Sequence, residues 1–135
     1  GVETSVRAKL LRGLRLDIGY TLTDTYDRQR NRPLEGRALH RGTASLRYRN
    51  SAWGLDCMLR SRIVGRRPFY FQSESDTPEF AEPYSTIDVR FDKRFTVLDT
   101  ELSVFAGGEN LLNAGDPIFL PIQPRTFYAG LGGNY

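Results

Sequence analysis

The feature that most constrains this chain is a two-residue alternation of apolar and polar side chains that recurs along most of its length. Val2, Thr4, Val6, Ala8 and Leu10 share one parity, with Glu3, Ser5, Arg7 and Lys9 on the other. That period sends successive side chains to opposite faces of an extended backbone, so it predicts a two-faced strand and not a helix. After a tight turn at Arg12 and Gly13, Leu14, Leu16, Ile18, Tyr20 and Leu22 alternate with Arg15, Asp17, Gly19, Thr21 and Thr23. The same polarity returns at Ala44, Leu46 and Tyr48, again between Leu55 and Val64, then at Ile87, Val89 and Phe91, at Leu102, Val104 and Ala106, and finally at Phe127, Ala129, Leu131 and Tyr135. About seven strands result, and the chain is expected to be all-β, an antiparallel up-and-down meander with no linker dividing two domains.

The connections alternate as well. Short turns are expected at Arg12 and Gly13, at Asn50 and Ser51, and over 96–99. Long polar stretches lie at 24–37, 65–83 and 113–124, where Pro68, Pro78, Pro83, Pro117, Pro121 and Pro124 speak against regular ladders. A meander whose two ends face different surroundings has this form, as outer-membrane barrels do with short periplasmic turns and long outer loops. The polar parity carries Arg15, Asp17, Arg47, Arg49, Asp56, Arg60, Arg62, Asp88, Arg90 and Asp92, too many charges for a protein interior unless each is paired. A soluble antiparallel sheet with one wet face explains the alternation equally well. Strand length separates the two: several segments alternate over about ten residues, which suits the roughly 9–11 of a tilted membrane strand better than the usual 5–6 of a soluble one.

Composition removes other classes. No run approaches the roughly 20 apolar residues of a membrane helix. At 135 residues and a net charge of +3, the chain fits one domain or a piece of something larger, and so mild an excess is poor support for a nucleic-acid partner. One cysteine, Cys57, and one histidine, His40, supply neither an internal disulfide nor a Cys/His zinc site. Gly1, Val2 and Glu3 do not open a secretory signal, which leaves either a cytoplasmic chain or one whose start lies elsewhere. Gly107 and Gly108 lack the strand-to-helix setting of a dinucleotide fingerprint, and His40 has no triad partners in the neighbouring sequence, so no enzyme and no cofactor are expected.

The most specific sequence lies in the last third. The run from Val104 to Asn113, with Gly107, Asn110, Leu111 and Asn113, resembles the penultimate-strand motif of TonB-dependent outer-membrane receptors, and 124–131 with the terminal aromatic Tyr135 is similar to that family's last strand. Residues 33–42 and 83–90 resemble its loop-to-strand entries. The resemblance implies that residues 1–135 are the C-terminal part of a large plugged transmembrane β-barrel in a bacterial outer membrane, its last seven strands. It further implies active transport of a scarce chelate such as a ferric siderophore, outer-membrane lipid and lipopolysaccharide as surroundings, and an N-terminal plug and a TonB-binding segment that have no counterpart here. The competing expectation is a small self-contained β-barrel or sandwich that binds a lipid or protein partner without transport, or an adhesin using its aromatic loops; seven strands alone cannot close an even barrel.

Within that frame the stretch 65–83 is the best candidate for ligand contact. Arg66, Arg67, Phe69, Tyr70, Phe71 and Phe80 offer aromatic faces and guanidinium forks to a bulky anionic chelate, although the same rings also suit loop packing or an interfacial girdle. Glu74, Asp76, Glu79 and Glu82 could offer oxygen ligands to Ca²⁺, as some receptors of that family do. Their spacing departs from an EF-hand, and a solvated acidic loop, with no metal, is the plainer reading. Arg28, Arg30, Arg32 and Arg37 would face lipopolysaccharide phosphates or solvent. Arg47, Arg60, Arg62, Asp88, Arg90 and Asp92 would line the lumen and hold the plug through ion pairs, and Cys57 would sit as a small hydrophobe on the apolar parity.

Overall fold

The computed structural model describes residues 1–71, 77–98, 100–116 and 118–134. Seven long strands, β1 (Val2–Leu11), β2 (Leu14–Leu22), β5 (His40–Asn50), β6 (Leu55–Val64), β9 (Tyr84–Val97), β10 (Thr100–Glu109) and β11 (Thr126–Asn134), form one antiparallel sheet in chain order. Every neighbour in the sheet is the next long strand, so the meander read from the alternation is the one that forms. The sheet stays open among the described residues: β1 and β11 are its two edges.

Register carries the parity across the whole sheet. Ala8 faces Leu16, Leu16 faces Leu46, Leu46 faces Leu59, Leu59 faces Val89, Val89 faces Gly108, and Gly108 faces Phe127. One row higher on the other face, Arg7, Asp17, Ser45, Arg60 and Asp88 line up in the same way. A slip of a single residue at any strand would invert that strand's polarity, so the pairing is strongly specified.

Four short strands lie in the long connections, where the prolines speak against ladders. β3 (Tyr26–Asp27) pairs with β4 (Arg32–Pro33), and β7 (Arg67–Phe69) pairs with β8 (Glu79–Ala81). Pro68 sits inside β7 because a residue's N–H and C=O point to the same strand edge. Its carbonyl accepts from Gly36 N at 2.8 Å, so the missing donor lies on the edge away from β8. The expected turn over 96–99 is also tighter than read, since Val97 pairs with Thr100 and the strand runs to 14 residues.

Among the described residues the apolar interior is slight. Ala38, Val64, Ala81 and Leu120 are buried, all of them near or in the long connections, while the described residues leave both faces of the sheet uncovered. At the opposite end the turns are built from backbone. Gly13 and Gly54 adopt φ of 82° and 60°, and their carbonyls accept from Arg49 N at 2.8 Å and Arg94 N at 2.7 Å, tying each turn to the next hairpin. A methyl group on Gly13 would collide with the Arg49 carbonyl. Gly13→Ala is therefore expected to destabilise the protein by at least roughly 1–2 kcal/mol, the left-handed penalty alone, read as a lowered denaturation midpoint.

Candidate functional site

The three long connections meet at one end of the sheet, where Leu22 pairs with His40, Val64 with Tyr84 and Glu109 with Thr126. The last of them is organised by Asn110. Its backbone takes φ 49°, a conformation Asn tolerates better than most residues. Its side chain is 6% exposed and makes three bonds: Nδ2 donates to Ala114 O at 2.7 Å and to Gln123 O at 2.9 Å, and Oδ1 accepts from Ala114 N at 2.9 Å. Its own N–H donates to Asp88 Oδ1 at 2.9 Å, and Leu111 N donates to Ile87 O at 2.8 Å. Asn113, also left-handed at φ 51°, accepts from Arg125 N at 3.0 Å. The motif residues Asn110 and Asn113 thus close the loop from both ends. Gly107 leaves room for Tyr128, and Tyr135 lies outside the described residues.

Asp116 shapes the tip. Its Oδ1 accepts from Ile118 N at 2.8 Å and Phe119 N at 2.9 Å, and these two N–H groups hold its carboxyl below the usual aspartate range. Phe119 is thereby aimed at the second connection. Its ring lies 5.2 Å from Phe69 and 5.4 Å from Phe71, and those two rings stack at 6.2 Å. Its carbonyl accepts from Arg67 Nη1 at 3.2 Å. Arg67 is 7% exposed, lies over the Tyr84 ring at 5.1 Å and near Phe69 at 5.7 Å, and its Nε has no partner among the described residues. It joins two loops and is largely closed to solvent.

Of the other residues singled out in this stretch, Tyr70 and Phe71 belong to the same rim. Arg32 stacks on Tyr70 at 3.8 Å, which brings in the first connection, and Phe71 is 54% exposed. Phe80 is different: it pairs with Pro68 and so lies on the opposite face of the β7 and β8 ribbon from Phe69. Arg66 is exposed and 3.8 Å from Glu82. Glu79 pairs with Phe69, whereas Glu74 and Asp76 lie outside the described residues. Among the described residues no group of three or more His, Cys, Asp or Glu could hold a metal. Arg28, Arg30 and Arg37 are exposed, with Asp27 capping the turn through Gln29 N and Arg30 N.

Below the rim, Arg47, Arg60, Arg62, Asp88, Arg90 and Asp92 share the polar face. Arg47 and Arg49 both bind Asp56, at 2.7 and 2.8 Å, and Arg90 holds Asp92 through two bonds of 2.8 Å. Arg60 reaches Met58 Sδ, Arg62 has no ion pair with a described residue, and Asp88 is engaged by Asn110. Cys57 lies on the apolar face between Tyr48 and Phe91, as its parity predicts. His40, also on that face, meets Tyr20 Oη through Nδ1 at 2.6 Å.

Sequence reading did not foresee the contacts of Phe119, of Glu35, whose Oε1 accepts from Tyr70 N at 3.5 Å, or of Gly36, because they join loop residues 32 to 52 positions apart in the chain. Asp116 had a signal, an Asp before Pro at a turn. Comparison of the chain with protein-family models, with curated proteins and with solved structures yields no match.

Two measurements check this geometry. Asn110→Asp removes both amide donors and sets a carboxylate beside two carbonyls, so hydrogen exchange across 111–124 is expected to quicken, by about tenfold or more if the loss is near 1.5–3 kcal/mol. The carboxyl of Asp116 titrates below its unfolded value, so its support of Phe119 is complete above the ordinary aspartate range, near about 3.9, and is lost as pH falls through the lowered native value. Protection of the Phe119 amide should fall on acidification, and Asp116→Asn should flatten that dependence.

Proposed function

We propose that this chain is the C-terminal barrel portion of a TonB-dependent outer-membrane receptor that takes up a scarce chelate, with a ferric siderophore the substrate best suited to its loop chemistry. The observation that carries the reading is the uncovered apolar face. On β1, β2, β6, β9 and β11 Val6, Ile18, Leu59, Ile63, Phe91, Phe127 and Leu131 are exposed on the one parity whose burial would stabilise the sheet, and on β5 and β10 Ala44, Leu46, Tyr48, Leu102 and Val104 of the same parity are half-buried. On β5 that face is bounded by His40 above and Asn50 below, and on β9 by Lys93, whose Nζ donates to Trp53 O. Ten residues of strand at about 3.4 Å each give roughly 34 Å, which a 35–45° tilt reduces to roughly 24–28 Å, the height of a barrel's apolar band.

Strand direction adds a second support. With seven antiparallel strands, β1 and β11 both run from the loop end to the turn end. An all-antiparallel closed barrel then needs an odd number of further strands, which favours a large barrel and disfavours closure of this segment on itself. In this reading the apolar face meets outer-membrane lipid. The polar face lines the lumen and meets the plug, Arg28, Arg30 and Arg37 face lipopolysaccharide, and the half-buried ring of Tyr70 and the exposed ring of Phe71 meet the chelate. The TonB complex would engage a part of the receptor outside residues 1–135.

The test is made in membranes and then on uptake. Far-UV circular dichroism should give a strand spectrum in detergent micelles and aggregation in plain buffer; a cooperative melt in buffer would instead favour the self-contained sandwich. Leu59→Arg, at mid-strand on the lipid side, should cost about 2–4 kcal/mol and abolish membrane integration, while Met58→Arg on the lumen side integrates normally. Given integration, Tyr70→Ala with Phe71→Ala should weaken ferric-chelate binding about tenfold; unchanged binding and uptake would refute the ligand assignment alone.

A further inference from the structure

On the polar face, the turn-end portions of β1, β2 and β5 enclose a concavity of about 730 Å³ lined by Lys9, Arg12, Arg15, Arg47 and Arg49. Register sets Lys9 directly opposite Arg15 and Arg15 directly opposite Arg47, so three cations occupy one row across three adjacent strands. Like charges placed opposite one another destabilise a sheet. The next row solves the same problem with a carboxylate, since Arg7 meets Asp17 at 2.5 Å. In the concavity the one carboxylate engaged is Asp56, shared by Arg47 and Arg49, while Lys9, Arg12 and Arg15 form no ion pair with any described residue. Five cations less that carboxylate leave +4 in this one place, against +3 for the entire chain. The protein's whole charge excess is therefore gathered here.

We propose that this concavity docks an acidic polypeptide segment, laid across β1, β2 and β5 with at least two carboxylates against Lys9, Arg12 and Arg15. The row extends over two strand spacings, about 10 Å, longer than a single phosphate group spans and comparable to carboxylates on alternate residues of an extended segment, about 6.8 Å apart. The wall also includes Leu14 and Leu11, the latter 73% exposed; an apolar wall suits side chains and offers nothing to a free polyphosphate. The inference rests on the charge of the polar face and holds whether the other face meets lipid or a protein layer.

Lys9 and Lys93 are the chain's two lysines, and they occupy opposite faces of the sheet, so each is the other's control. The protein is treated with a carbodiimide, which joins an amine to a carboxylate held against it, in the medium where it holds its strand spectrum and with and without added hexaglutamate. Peptide mass spectrometry then reads both lysines. The expected result is an amide from Lys9 either to an acidic segment of its own polypeptide or to hexaglutamate, at roughly ten times the yield at Lys93, falling about fivefold in the Arg12→Gln, Arg15→Gln variant and unchanged in Arg125→Gln. No Lys9 amide under either condition, equal yields at the two lysines, or a yield indifferent to Arg12 and Arg15 would overturn the proposal. So would displacement by inorganic tripolyphosphate at lower concentration than by hexaglutamate, which would mark a phosphate site.

Discussion

Everything in this protein depends on the register of one antiparallel sheet. Because the side-chain period of a strand is two, six successive pairings that keep parity, save for a shift between Lys9 and Leu11 at the end of β1, make one face apolar and the other charged from edge to edge. The sheet does not bury either face for itself: no large side chain among the described residues is fully buried. Its ladders satisfy the backbone, but the apolar area that normally drives folding remains available to whatever lies against it. An open sheet of this kind gains most of its stability from its surroundings, which is why the identity of those surroundings is the functional question.

The polar face manages its charges locally. Arg47, Arg49 and Asp56 form one group and Arg90 with Asp92 another, and the register sets Asp56 directly opposite Asp92. Two carboxylates facing each other would repel, yet each is held by its own guanidinium, so the pair of groups is mutually tolerable. All these side chains are partly exposed, and their worth to stability is correspondingly small. Their effect is to fix guanidinium planes in known directions, leaving surplus positive charge where no carboxylate was provided, at the foot of β1 and β2.

The long strands were legible in the sequence because alternation is a local signal that pairing then reinforces; Leu55–Val64 was read with the bounds it has. The stretch from Gly107 to Asn113 stood out in the sequence as well, and the structure places two left-handed asparagines there, one of them buried and bonded through both its amide nitrogen and its amide oxygen. The rim was only partly legible. Phe69, Tyr70 and Phe71 stood out as an aromatic run, but nothing local indicated that Phe119 would complete the cluster or that Arg67 would turn inward to its carbonyl. Pro68 misled for an instructive reason: proline forbids a ladder only on the edge where its N–H is missing, and which edge that is depends on Gly36, 32 residues earlier in the chain.

The two ends of the sheet are held by different means. At the turn end, glycine carbonyls extend the ladders into the next hairpin, so loosening a turn means breaking backbone pairing. At the loop end the ties between connections run chiefly through side chains: the Arg67 guanidinium on a carbonyl, Arg32 over Tyr70, three stacked or tilted rings, with the backbone bond from Gly36 to Pro68 joining the first two. Arg67 is the weakest of these in principle, a buried cation whose Nε is unmatched and whose charge is met by rings in place of a carboxylate among the described residues. Rearranging that rim would exchange side-chain contacts while the seven-stranded ladders beneath stayed intact. Under the proposed receptor reading, a sheet that is rigid below and held by side chains above would let its loops respond to a ligand without disturbing the strands that carry them.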